Sequence, residues 1–274
     1  MTTMPRAAAA LALTLLALGG SLGACGSGDG DGRPSGAAQP AAGSRSDSRR
    51  VVVSAATSLK QAFTRYGEQF DGGDVRLSFA GSDALAAQIR QGIKPDVFAA
   101  ANTKLPDQLF REGLVERPVR FASNELVLAV PADESAVSAL DDLVQDGVTI
   151  AVGAGGVPVG DYTRTVLDRL PATQSKRILA NVRSEEPDVG GIVGKLTQGA
   201  VDAGFVYASD VRGARGKLEA IELPNRLKPT VEYGVALVKG AENPAGGRAF
   251  VDGLLTGGGA EALRDAGFGR PTSP

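Results

Sequence analysis

At four places in this sequence a strand-like run leads directly into an amphipathic helical pattern, which leaves few folds open to the chain. The first two junctions place Ser58 and Ser82 at the helix start, and two similar junctions follow near residues 157–160 and 188–190. A hydroxyl residue at a helix start caps unpaired backbone N–H groups, and the same end carries the positive pole of the helix dipole. Such a helix start can hold an anion without a charged side chain. If the four converge, the sequence predicts a receptor for a small oxyanion.

Strand and helix patterns alternate along almost the whole chain after residue 50. Predicted strands cover residues 51–55, 75–79, 96–101, 125–130, 148–152, 179–183, 203–207 and 231–238. Predicted helices cover residues 59–70, 83–91, 105–112, 161–170, 190–198, 245–255 and 259–266. This alternation predicts an α/β fold with mixed, mostly parallel sheets flanked by helices. Ligands of such sheets lie beyond the carboxyl ends of the strands, which is where the four junctions would lie.

Two breaks in the alternation, at residues 131–134 and 223–225, predict a second lobe inserted into the first. We expect lobe I to comprise residues 50–123 together with a return segment, residues 231–274. Lobe II is expected to comprise residues 124–230.

The N-terminal segment predicts export. Arg6 supplies a positive start, and the apolar stretch of residues 7–18 is too short to span a bilayer. The small residues before Cys25 resemble the lipobox of bacterial lipoproteins, which implies removal of residues 1–24 as a signal peptide and a lipid anchor at Cys25. Residues 25–49 are rich in Gly, Ser, Asp, Ala and Pro and predict a flexible tether.

Charge and the lack of histidine exclude several classes of function. Removal of the signal peptide takes away Arg6 and no acidic residue, so the net charge falls from −2 to −3. With no basic run beyond Arg49 and Arg50, we expect no nucleic-acid partner. The chain contains no histidine, which excludes Ser-His-Asp and Cys-His nucleophile systems and the HExxH zinc site. Catalysis by a carboxylate or a lysine stays open.

Three side chains are candidates for contact with an anion. The hydroxyls of Ser58 and Ser82 can each donate a hydrogen bond, and neighbouring backbone N–H groups add further donors. The alternative is that both serines only cap their helices, which is a common role. Tyr207, at the end of a predicted strand, offers a neutral phenolic donor, although a tyrosine in such a place also commonly serves only in packing.

Two other helix starts offer backbone amides. In the glycine-rich run of residues 153–160, Pro158 stands where a GxGxxG dinucleotide loop needs its last glycine or alanine, so that interpretation is weak. Pro158 fixes the turn and leaves the amides of Val159 and Gly160 free to point inward. At the second helix start Asp188 is a good N-cap residue, and Val189 would contribute only its backbone N–H.

Taken together, these segments resemble the molybdate-binding protein family of molybdate ABC transporters. The shared runs are SAATSL at 54–59, FAGS at 79–82, PDVF at 95–98, VPVG at 157–160, DV at 188–189 and VYASD at 206–210. The resemblance covers residues 51–268 in order and spacing. It implies a two-lobed type II periplasmic-binding-protein fold that holds the oxyanion in the cleft between the lobes.

The resemblance also implies a set of binding residues. Molybdenum would be bound as molybdate, through its oxygens, by Ser58, Ser82, Val159, Val189 and Tyr207. The serines would act through hydroxyl and backbone groups, the valines through backbone N–H groups and the tyrosine through its hydroxyl. The chain departs from the family pattern at Gly190, where arginine is common, and at Val159, where alanine is usual. Asp83 and Asp161 lie beside anion-binding positions, and we expect them to face away and to complement the helix dipoles.

The function implied is that of a receptor, lipid-anchored through Cys25 to the outer face of the cell membrane. It would be a monomer without a cofactor, and it would deliver molybdate, and tungstate as well, to the membrane permease of an ABC importer. Alternatives are a receptor for another oxyanion such as tungstate or sulfate, a sensory receptor with the same fold, or an extracellular enzyme acting on an anionic substrate through Asp or Lys. The lack of histidine and of a Gly-x-Ser-x-Gly elbow makes the enzyme the weakest of these.

Overall fold

The structure is a computed structural model that describes residues 50–133 and 135–272. The predicted signal peptide, the predicted lipidation site at Cys25 and the predicted tether fall on residues 1–49 and lie outside the described residues. Within the described ranges, no helix combines the length and the apolar character that crossing a membrane requires.

Lobe I is built on a five-stranded sheet in which four strands run in the same direction. In spatial order its strands are β2 (Asp74–Ala80), β1 (Arg50–Ala56), β3 (Val97–Ala100), β10 (Val231–Leu237) and β4 (Val119–Asn124). The first three pair in parallel, and β10 pairs antiparallel with both β3 and β4. The helices of this lobe are α1 (Lys60–Glu68), α2 (Ser82–Arg90), α3 (Lys104–Arg111), α8 (Pro244–Thr256) and α9 (Gly258–Asp265).

Helices cover both faces of this sheet, as the central strand β3 shows. All four of its residues are buried, because successive side chains point to opposite faces and each face has its own core. Val97 and Ala99 lie in the core that includes Phe63 of α1. Phe98 lies in a separate core that contains the apolar side chains of α2 and α3.

Lobe II repeats the same sheet plan. In spatial order its strands are β7 (Val182–Glu186), β6 (Ile150–Gly153), β8 (Ala203–Tyr207), β5 (Leu126–Pro131) and β9 (Leu218–Ile221). Strand β6 pairs in parallel with β7 and β8, and β5 pairs antiparallel with β8 and β9. The helices are α4 (Pro158–Asp168), α5 (Ala172–Ala180), α6 (Val189–Thr197) and α7 (Ala208–Gly213). The predicted mixed, mostly parallel α/β architecture is therefore confirmed.

The chain crosses twice between the two sheets. The first crossing lies between Asn124, the last residue of β4, and Leu126, the first residue of β5. The second lies between β9 and β10. The limits expected for the lobes, 50–123, 124–230 and 231–274, stay predictions.

Parts of the secondary structure differ from the sequence-based expectation. The predicted strand 179–183 is wrong in its first half, because α5 extends to Ala180 and β7 begins only at Val182. The apolar residues near the end of α5 give a pattern that resembles a strand. They belong instead to a helix whose N-cap residue is Pro171. Strands β4 and β9, at the edges of their sheets, were not predicted, because edge strands are only partly buried and lack a continuous apolar run.

Candidate functional site

The predicted helix starts converge between the two lobes. Strands β1, β2, β6 and β7 each lead into a helical turn at the carboxyl end of the strand, and these turns surround a cavity of about 20 Å³. All five residues predicted as the binding set line this cavity: Ser58, Ser82, Val159, Val189 and Tyr207. The site therefore draws on both lobes, as the position of ligands in open α/β sheets leads one to expect.

The two serine hydroxyls are not helix caps, so the alternative that both serines only cap their helices is wrong. Gly81 is the N-cap of α2, Ala56 is the N-cap of the 3-10 turn that precedes α1, and neither turn has a side-chain cap bond. The oxygen of Ser82 accepts a hydrogen bond from the N–H of Ala101 at 3.1 Å. Because this bond uses a lone pair, the Ser82 hydroxyl keeps its proton for another acceptor.

The Ser58 hydroxyl has a distant partner. Its oxygen lies 2.9 Å from the hydroxyl oxygen of Tyr233, a residue of β10 that is 175 positions away in the sequence. The Nδ2 atom of Asn124 lies 3.4 Å from the same Tyr233 oxygen. The sequence carried no local signal for Tyr233 or Asn124, since only the pairing of the sheet brings them to Ser58.

Lobe II contributes backbone amides at two helix starts. Val159 is the second residue of α4 and Val189 the first residue of α6, and the amides of a first helical turn have no acceptor within the helix. At α6 the side chain of Asp188 accepts from the N–H groups of Gly190 and Gly191, at 2.7 and 3.3 Å, and thus caps the helix as predicted. This cap leaves the amide of Val189 to the cavity.

Tyr207 combines packing with an unused donor. Its side chain is only 1% exposed, and its ring packs edge-on against those of Tyr162 and Tyr233, with centroids 6.4 and 5.9 Å apart. Burial raises the pKa of the Tyr207 hydroxyl well above its usual value, so the group keeps its proton. Within the described part of the chain this hydroxyl has no hydrogen-bond partner. Since such an orphaned buried donor is costly, it marks a place where an acceptor belongs.

The hydrogen-bond donors that line the cavity are neutral groups, and one charged side chain stands among them. Asp188 is the one charged residue among the described residues that line it, and its carboxylate already serves the α6 cap. Neither Asp83 nor Asp161 belongs to that lining. The carboxylate of Asp161 accepts from the N–H of Gly156 at 3.0 Å and lies 3.6 Å from Nζ of Lys104, which belongs to lobe I.

One partly buried carboxyl group beside the site was missed from the sequence. Asp210 accepts a hydrogen bond from the backbone N–H of Tyr207 at 3.0 Å. Burial raises the pKa of Asp210 to about 7. The VYASD run that contains it was noted only as part of a family resemblance, and a carboxylate three residues after a strand end gives no sign of burial by itself.

The described residues contain no group of three or more His, Cys, Asp or Glu side chains that could hold a metal ion. What the lining offers instead is a set of hydroxyl and amide donors, together with helix N-termini of positive potential.

This geometry accompanies a clear similarity to known proteins. Residues 51–269 match the family of bacterial extracellular solute-binding proteins. The chain belongs to this family. Among its relatives, the molybdate-binding protein ModA of Mycobacterium bovis is 35% identical over 254 residues, covering 90% of this chain and 92% of that one. ModA of Escherichia coli is 31% identical over 238 residues, covering 81% and 90%.

A solved structure supports the same fold for this solute-binding protein. The periplasmic molybdate-binding protein of Azotobacter vinelandii matches with a TM-score of 0.73 and covers 81% of this chain and 100% of that one. At 22% identity this likeness establishes the two-lobed fold and no more.

Proposed function

We propose that this solute-binding protein binds molybdate in the cavity between its lobes and delivers it to the membrane permease of an ABC importer. The observation that carries the proposal is the set of neutral donors that face one cavity from both lobes, with the unpartnered hydroxyl of Tyr207 among them. The names of its relatives supply the ligand, since those at 35% and 31% identity are molybdate-binding proteins. Tungstate, which is nearly the same size, should bind as well.

Neutral donors suit a dianion that leaves water on binding. Hydrogen bonds to a charged group contribute about 1.5–3 kcal/mol each, so two hydroxyls, a phenol and several amides together offset the cost of dehydrating the anion. Helix N-termini add positive electrostatic potential at the anion. They do so without a cationic side chain, which would bind any anion equally well.

The same donors give selectivity. An oxyanion that keeps an acidic proton, such as hydrogen phosphate, needs an acceptor for it and would leave one donor of the site unpaired. Sulfate carries the right charge but is smaller than molybdate, so a rigid cavity of the larger size would hold it with overlong contacts.

The remaining features of the proposal concern place and partners. The protein acts outside the cell as a monomer, held to the outer face of the membrane by a lipid on Cys25, and it binds its ligand without a cofactor and without chemical turnover. Because residues of both lobes contact the anion, binding favours a closed form, which the permease recognises. A Cys25→Ser variant that stays with the membrane after export would contradict the lipid anchor.

Isothermal titration calorimetry with molybdate, tungstate, sulfate and phosphate tests the proposed ligand. We expect tight binding of molybdate and tungstate, and binding of sulfate and phosphate that is weaker by orders of magnitude. A Ser58→Ala/Ser82→Ala double variant should bind molybdate at least about 100-fold more weakly, because two hydrogen bonds to a charged group are lost. Ser78→Ala, on an exposed position of β2, is the matched control and should bind as the wild type does.

Two results would count against this function. Equal affinity for sulfate and molybdate would contradict a cavity fitted to the larger anion. Hydrolysis of a phosphate or sulfate ester by the wild-type protein would favour the extracellular enzyme instead.

A further inference from the structure

A chain of buried polar groups behind the anion site ends at Ser58. Tyr233 is fully buried in β10, and among the described residues its hydroxyl has two hydrogen-bond partners, Ser58 at 2.9 Å and Asn124 at 3.4 Å. Asn124 is the last residue of β4, directly before the chain crosses into lobe II. The chain therefore connects the lining of the cavity to one of the two crossings.

The orientation of the Asn124 amide is fixed by its other partners. Its side-chain oxygen accepts from the N–H of Glu125 at 2.9 Å, so its NH₂ group must face the opposite way. That NH₂ group lies 2.8 Å from the hydroxyl of Ser209, which belongs to α7 of lobe II, and 3.4 Å from the hydroxyl of Tyr233. An amide NH₂ only donates, so Tyr233 accepts from Asn124.

This fixes the direction of the bond between Tyr233 and Ser58. Burial raises the pKa of Tyr233 well above its usual value, so its hydroxyl keeps a proton that needs an acceptor. That acceptor is Ser58, because a bond in the opposite direction would leave the buried Tyr233 proton facing the NH₂ group of Asn124. Ser58 thus accepts from Tyr233, and its own proton is left for a group in the cavity.

We propose that Tyr233, held by Asn124, is a positioning residue that makes the Ser58 hydroxyl an obligate donor to the bound oxyanion. The proposal rests on the proposed function and adds to it a residue that never touches the ligand. Without Tyr233 the Ser58 hydroxyl can rotate, and its lone pairs can accept as well as its proton can donate. Tyr233 thereby also contributes to the rejection of protonated oxyanions, because its bond occupies one lone pair of Ser58 and turns the Ser58 proton toward the anion.

A double-mutant cycle separates this role from simple packing. Tyr233→Phe keeps the ring and should weaken molybdate binding by roughly three- to twelvefold, the range for one ordinary hydrogen bond. In a Ser58→Ala background the same substitution should have no effect on affinity. Tyr66→Phe is the matched control, since the Tyr66 hydroxyl is also buried in lobe I but donates to the backbone oxygen of Phe250, and it should leave affinity unchanged.

A second variant keeps the test decisive if Tyr233→Phe folds poorly. In Asn124→Asp the carboxylate can only accept, so Tyr233 would donate to it and Ser58 would have to donate to Tyr233. We expect a larger loss of molybdate affinity than for Tyr233→Phe. The part of the loss that acts through Ser58 should disappear in the Ser58→Ala background, whereas a pure charge effect would persist.

The affinity ratio between molybdate and phosphate at pH 6 provides a second readout. We expect this ratio to fall in Tyr233→Phe, because the Ser58 hydroxyl can then rotate and turn a lone pair toward a protonated oxyanion. Equal losses of affinity in both backgrounds of the cycle, or wild-type affinity in Tyr233→Phe, would overturn the role of Tyr233.

If the wild type binds tungstate or sulfate but not molybdate, the proposed ligand is wrong. The same cycle with the anion that does bind then still decides the role of Tyr233. Binding of none of the four anions would overturn both proposals.

Discussion

At Gly81 and Gly190 the two lobes approach each other closely beside the cavity. A Cβ atom built on Gly81 would lie 2.5 Å from the carbonyl oxygen of Pro187 in lobe II. One built on Gly190 would lie 2.7 Å from Cγ2 of Thr57 in lobe I. Ordinary contact begins at 3.4 Å, so an added methyl group lacks about 0.9 Å at Gly81 and about 0.7 Å at Gly190. We predict that alanine at either position prevents the lobes from closing fully.

The size of the effect follows from the reach of a hydrogen bond. The obstacle at Gly81 is backbone and cannot rotate away, so Gly81→Ala should separate the lobes locally by nearly the full 0.9 Å. A hydrogen bond of about 2.9 Å stretched by that amount is no longer a hydrogen bond. The loss of one such bond to a dianion costs about 1.5–3 kcal/mol, which corresponds to roughly a 10- to 150-fold loss of affinity. Gly190→Ala should cost less, because its two nearest obstacles, Cγ2 of Thr57 and Oδ1 of Asp188, belong to side chains and not to the backbone.

Calorimetry with molybdate measures the loss of affinity, and small-angle X-ray scattering with and without molybdate measures closure. The matched control is Gly194→Ala in α6, where a built Cβ atom meets nothing within 4 Å. That variant should keep wild-type affinity and gain up to about 1 kcal/mol in stability, because alanine favours a helix interior over glycine. Wild-type affinity in Gly81→Ala would refute the reasoning, since it would mean that binding does not need the lobes this close.

Three further predictions concern single side chains around the cavity. Tyr207→Phe should weaken molybdate binding about 10- to 100-fold. It should not lower the free energy of unfolding of the ligand-free protein, because the Tyr207 hydroxyl has no hydrogen-bond partner to lose among the described residues. A large loss of stability in urea unfolding would contradict this. Because burial raises the pKa of Asp210 from 3.8 to about 7, the folded state holds that proton more tightly than the unfolded state, so stability should fall from about pH 4 to about pH 7 and be level above. Asp210→Asn should flatten that slope in unfolding curves at pH 5 and pH 8, and an unchanged slope would assign it to other groups. Lys104→Gln removes an exposed ion pair between the lobes. Calorimetry should therefore show at most about a fivefold loss of molybdate affinity at low salt and no loss at about 0.5 M salt. An equal loss of affinity at both salt concentrations would exclude an electrostatic cause.

The backbone part of the site could be predicted well because it depends on local signals. A strand followed within a few residues by a helix puts unpaired amides beyond the carboxyl end of the strand, and Val159 and Val189 do lie in the first turns of such helices and line the cavity. The role of Asp188 as an N-cap is equally local and was also correct. These features involve residues a few positions apart, whose contacts the helix geometry itself imposes.

The serine hydroxyls show where such reasoning fails. A serine near a helix start commonly serves as the N-cap residue. The actual hydrogen-bond partners of Ser58 and Ser82 are, respectively, the hydroxyl of Tyr233 and the backbone N–H of Ala101. Both partners lie in or directly after strands two places away in the sheet, and no spacing along the chain encodes them. Strands β4 and β9 could not be predicted for the same reason. Each forms at a sheet edge by pairing with a neighbouring strand, and no apolar run in its own sequence indicates it.

By itself, the sequence determined the α/β class, the junctions that place helix starts next to strand ends, and the absence of histidine chemistry. Each of these depends on composition or on contacts between near neighbours in the chain. Only the tertiary structure decided that these helix starts face one cavity, that Tyr207 keeps a donor without a partner in the described part of the chain, and that polar contacts run from Asn124 through Tyr233 to Ser58. Those facts require residues more than a hundred positions apart to meet with defined orientation, and the register of the sheets and the packing of the two lobes supply that orientation.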